Sequence, residues 1–150
     1  MKVADISENF FILGFHSVFA LIAAAEISRR LMSGQSIDFT IGVLVVGYNI
    51  VYGFITQEMR NNNNLFKAWK FCAILSIFMI IPDAFLSQIC NSIYFPTESH
   101  KFGGVAWYMG GMWTIPSVLI LALCPGTGEP SQEEVTITSL VSLIIFGMAE

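Results

Sequence analysis

Four stretches of this chain are apolar around the whole circumference that a helix would present, and a fifth is shorter. They run from about Asn9 to Ile27, Phe39 to Thr56, Phe71 to Cys90 and Val105 to Cys124, with the last from Val135 to Ala149. A helix needs about 20 apolar residues to cross the hydrocarbon core of a bilayer, which the first four blocks approach or meet. The strict polar–apolar alternation of a membrane β-strand is missing from all of them. Helices are the elements that satisfy their own backbone hydrogen bonds in lipid, so the pattern predicts an all-α, polytopic bundle. Five transmembrane helices are expected, or four if the short last segment lies against the bundle. Residues 1–150 then form a single integral membrane domain.

Two of the blocks carry an internal proline, Pro82 in the third and Pro116 in the fourth. Each removes a backbone donor, so both helices are expected to bend. The connecting segments are short and polar, with turns expected at Asn61–Asn64 and from Pro125 to Pro130. Gly103-Gly104 reads as a turn and Gly110-Gly111 as a packing surface.

Composition sharpens this. Hydrophobic residues make up 55% and charged ones only 12%, against roughly a quarter charged in a soluble domain. Seven Lys and Arg against eleven Asp and Glu leave a net charge of −4 and no basic stripe, so nucleic acid is not expected as a partner. The basic residues divide almost evenly between the two sides of a five-span topology, so they set no orientation. A removable signal peptide is disfavoured: Asp5 and Glu8 outweigh Lys2 ahead of the first block, despite the Ala23-Ala24-Ala25 run.

Candidate chemistry must come from the polar groups within the apolar blocks, because such groups are expensive in hydrocarbon and turn to the bundle interior. Asp83 stands near the middle of the third block, where a bare carboxylate costs roughly 2.5 to 3.5 kcal/mol. With Cys72, Ser76, Ser87 and Cys90 it forms one polar helix face. His16, central in the first block, heads a row of small residues, Ala20, Ala24 and Ser28, beside which another helix could pack. Its near-neutral titration suits proton exchange. Tyr48, Asn49, Tyr52 and Thr56 make a polar-aromatic face on the second helix. In the fourth block Ala106, Gly110 and Thr114 form a close-packing row, Trp113 sits deep, and Trp107, Tyr108, Tyr94 and Phe95 suit an interfacial belt. Glu26 lies one turn from Arg29 and Arg30 and can pair with either.

Cys72, Cys90 and Cys124 lack metal-site spacing, and two histidines cannot make an intramembrane bis-histidine haem site. There is no phosphate loop, nucleophile elbow or metalloprotease motif, so neither a cofactor nor a metal is expected. Three functions remain. In the first, Asp83 and His16 act as acid and base, with Asn49, Tyr48, Tyr52, Ser76 and Trp113 binding a lipophilic small molecule such as an isoprenoid, quinone or lipid. That chemistry would be isomerisation, cyclisation or hydration. In the second, the chain is a non-catalytic subunit or assembly factor, joined to other subunits or to itself through Ala106, Gly110 and Thr114. The third is a proton or ion pathway. A Cys72–Cys124 disulfide is conceivable.

Overall fold

The computed structural model describes residues 6–59, 63–95, 100–123 and 132–147. The chain is mostly helical, and three helices are long and apolar enough to span a membrane: Phe10–Met32, Asp38–Glu58 and Leu65–Gln88.

Helix α1 (Ile6–Met32) ends on a glycine. Gly34 takes φ of +66°, its N–H bonds the Leu31 carbonyl at 3.1 Å, and Gln35 N–H reaches back to Arg30 at 3.1 Å. That paired closure satisfies the last carbonyls and suits a residue without a Cβ. At the same end Glu26 accepts hydrogen bonds from Arg29 Nε at 2.9 Å and Arg30 Nε at 3.3 Å, so it pairs with both arginines. Helix α2 (Asp38–Glu58) follows. The third apolar block forms α3 (Asn63–Phe78) and α4 (Ile80–Gln88), separated only at Met79, three residues before Pro82. Asn63 and Asn64 therefore open a helix; the other half of the expected asparagine turn lies outside the described residues.

The fourth block departs from expectation. A single helix from Val105 is not what forms. Lys101–Phe102 (β1) and Val105–Ala106 (β2) pair antiparallel around Gly103 and Gly104, whose φ values of +57° and +83° make the tight primed turn that glycine favours. The chain then forms a short helix α5 (Met109–Met112), breaks at Trp113, and continues as α6 (Thr114–Leu123). This break also falls three residues before a proline, Pro116. Val105, Trp107 and Tyr108 suit a strand or turn as well as a helix, and a diglycine turn just upstream decides between them. The last helix, α7 (Gln132–Gly147), packs on α6. Cys124 and the Pro125–Pro130 loop lie outside the described residues; Cys72 and Cys90 are free thiols, so the conceivable Cys72–Cys124 bridge is not formed.

Two clusters form the interior. Tyr48, Tyr52, Cys72 and Val118 are buried together, with Phe11, Phe15 and Phe19 of α1 packed on them. Val45, Ala106 and Tyr108 form the second, joined by Trp107, Phe95 and Met112. Many other large apolar side chains of α1 to α4, including Phe10, Leu21, Phe39, Ile50, Phe78 and Ile81, are exposed. A protein that left this much apolar surface facing water would aggregate, whereas a bilayer accommodates it.

Candidate functional site

Four of the expected site residues converge on one short element. Asn49 donates both amide hydrogens, to the Val45 carbonyl on its own helix at 2.9 Å and to the Gly111 carbonyl of α5 at 3.1 Å. Ser76 Oγ reaches the Met109 carbonyl at 3.5 Å. Trp113 Nε1, immediately after α5, donates to Asp83 Oδ2 at 2.9 Å. Polar side chains of α2, α3 and α4 thus hold the four-residue helix α5 in place. The backbone is available for this because the helix is interrupted: carbonyls near a break and a proline lack their usual i+4 donors. Asp83 is only 3% exposed, so the acidic group does turn inward. The apolar helix begins at Leu65, however, which puts Asp83 about 10 Å of helix rise from the centre of the span.

A second group surrounds His16. Its Nδ1 lies 2.8 Å from the Ile12 carbonyl, which can only accept, so Nδ1 carries the proton. Nε2 is then an acceptor and takes the Tyr48 hydroxyl hydrogen at 2.8 Å. Phe15 and Phe19 meet the Tyr48 ring edge-on, and Tyr48 stacks on Tyr52 at 5.5 Å between centroids. Tyr52 is fully buried and its hydroxyl has no partner among the described residues. The small row beyond His16 does not receive a helix: Ala20, Ala24 and Ser28 are exposed. The packed face of α1 runs instead through Ile12, His16, Phe19 and Ala23.

Between these groups lies a cleft of about 320 Å³. Its two ends are tryptophans seated on glycines of α2. The Trp107 ring occupies the space a Cβ on Gly42 would take, and a Cβ on Gly53 would stand 2.7 Å from Trp69. Gly42 and Gly53 are eleven residues apart, about 16 Å of helix. Val46, Asn49 and Ile50 form one wall, Ala73 and Ile77 the other, and Gly110, Gly111 and Thr114 the floor. Val46, Ile50 and Ile77 are also exposed on the outer surface, so the cleft opens sideways between α2 and α3. Trp69 Nε1 and Thr114 Oγ1 are buried without a hydrogen-bond partner among the described residues.

The seven expected site residues therefore do not share one pocket. Asp83 pairs with Trp113, His16 with Tyr48, and neither pair lines the cleft; Asn49 does. Thr114, Trp69 and Trp107 line it instead, with Gly42 and Gly53 beneath the two indole rings. The spacing of Gly42, Val45, Asn49 and Gly53 along one face of α2 was the available signal. The close-packing row is likewise internal: Ala106 lies in β2, Thr114 is fully buried, and Gly110 packs under Ile80. Nor do Trp107 and Tyr108 form an outer belt. Tyr108 is buried and hydrogen-bonds the Asp38 carboxylate, while Tyr94 is exposed. Among the described residues no cluster of side chains could hold a metal ion.

Residues 80–150 match the model of a family described as a domain of unknown function (DUF6989), which takes in α4 to α7 and the floor of the cleft but neither of its long-helix walls on α2 and α3. No curated protein and no solved structure matches the chain.

Proposed function

We propose that this chain is a multi-pass integral membrane protein that binds a lipophilic small molecule, an isoprenoid, quinone or lipid, in the cleft between α2 and α3. The helices α5–α6 and α7 complete five membrane segments in this reading, with bends at Pro82 and Pro116. The observation that carries it is the sideways opening. A cleft bracketed by two indole rings and open through Val46, Ile50 and Ile77 faces the acyl chains, from which a lipophile can enter without crossing water. Its volume lies at the lower end of the range for small-molecule sites.

Binding is favoured over catalysis by Asp83 and His16. Each has a committed partner away from the cleft, and both act in this reading by fixing α5 and the α1–α2 contact. Asn49 is the polar group that meets the ligand in this reading.

The test is mass spectrometry of lipophiles carried through purification of the full chain in mild detergent. Wild type is expected to retain one compound class near stoichiometric amounts. Ala73→Phe, which fills the cleft from its α3 wall, is expected to lose most of it while keeping helical content and a monodisperse elution. Equal retention by both proteins would contradict the proposal.

A further inference from the structure

The chemistry of the head group follows from the way Asn49 is tethered, granting the cleft reading above. Both hydrogens of its amide are taken by carbonyl oxygens, Val45 and Gly111, and since carbonyls cannot donate, the contacts also settle which end of the amide is nitrogen. The oxygen is the end left over. Among the described residues no donor meets Asn49 Oδ1, and unlike Thr114 Oγ1 and Trp69 Nε1 it is not among the fully occluded polar atoms. It is thus an unpaired acceptor, not fully occluded, on a residue that lines the cleft.

Its depth makes this consequential. Asn49 is the twelfth residue of the 21 in α2, the middle of the span. Water is scarce there and acyl chains offer no donor, so an open carbonyl oxygen gains from any ligand that donates to it. We infer that the cleft selects lipophiles bearing a hydroxyl group, which donates to Asn49 Oδ1 while the apolar body lies between Trp69 and Trp107. A head group that only accepts, such as an ether, ester or quinone carbonyl, would set oxygen against oxygen at this point.

Matched probes separate the possibilities. Farnesol, its methyl ether and farnesal share one hydrocarbon body and differ in whether the head can donate. Titrated into the full chain in nanodiscs and followed by tryptophan fluorescence, farnesol should bind roughly tenfold more tightly than either analogue, the worth of one neutral hydrogen bond. In Asn49→Leu the three affinities should fall within about twofold of each other. In Ala73→Phe all three should weaken together. Equal or tighter binding of the ether or aldehyde to wild type would overturn the hydroxyl assignment and leave the cleft standing. Failure of all three to bind wild type would overturn the cleft reading itself. The alcohol-to-ether ratio is read on the wild-type chain, so the test holds even if Asn49→Leu does not fold.

Discussion

Single buried hydrogen bonds decide much of this interior, and the His16–Tyr48 bond is the clearest. With Nδ1 bound to Ile12, Nε2 accepts from the Tyr48 hydroxyl, and the ring also lies by the Ile115 backbone. Tyr48→Phe should cost about 1 to 3 kcal/mol, because a buried acceptor loses its donor. His16→Phe combined with Tyr48→Phe should cost less than the sum of the two single changes, since no orphan remains; thermal unfolding of the four proteins in detergent gives the coupling. An additive result would mean that the bond contributes nothing. Asp83 follows the same logic with a different control. Asp83→Asn keeps an oxygen for Trp113 Nε1 and should shift the unfolding temperature little, whereas Asp83→Leu removes the bond and should be clearly less stable. A large loss of ligand binding in a stable Asp83→Asn protein would return this residue to the site. That Asp83 is buried could be read from its place in an apolar block. Its partner could not, because Trp113 is 30 residues away and reaches it only through the α5 break.

At the level of elements, α2 acts as the ruler of the bundle. Gly42 and Gly53 receive one indole each, and the face between them carries Val45 and Asn49. Gly42→Leu would place a side chain where the Trp107 ring sits, forcing β2 and the start of α5 away from α2. A loss of about 1 to 3 kcal/mol is expected from such overpacking, together with a red shift of tryptophan emission if the ring is displaced toward polar surroundings. An unchanged emission maximum and stability would show that the ring is not seated there. The first three spans were legible from composition because their apolar blocks are long, although the third is split at Met79. The fourth was not, since its apolar content suited a helix while the Gly103-Gly104 turn imposed a hairpin on its first residues. Block hydropathy is blind to that conflict, as it registers how greasy a segment is and ignores which backbone angles its glycines permit.

Over the whole molecule, outward apolar surface and inward polar groups describe a protein arranged for a bilayer. The sequence indicated which side chains had polar business inside, including His16, Asn49, Ser76 and Asp83, and all four do make buried or half-buried hydrogen bonds. It did not indicate how they divide, because pairing depends on the helix order around the bundle and on where α5 crosses it. The cleft emerges from that division: polar groups fix α5 and α1, and the space left over is framed by tryptophan. The chain has three tryptophans, of which Trp69 and Trp107 frame the cleft and Trp113 is bound to Asp83 away from its lining. Fluorine NMR of 5-fluorotryptophan-labelled protein in nanodiscs, titrated with farnesol, therefore contains its own control. The resonances of Trp69 and Trp107 should shift in a saturable way while that of Trp113 stays nearly still. A shift confined to Trp113, or no saturable shift at all, would contradict the assignment of the cleft as the binding site.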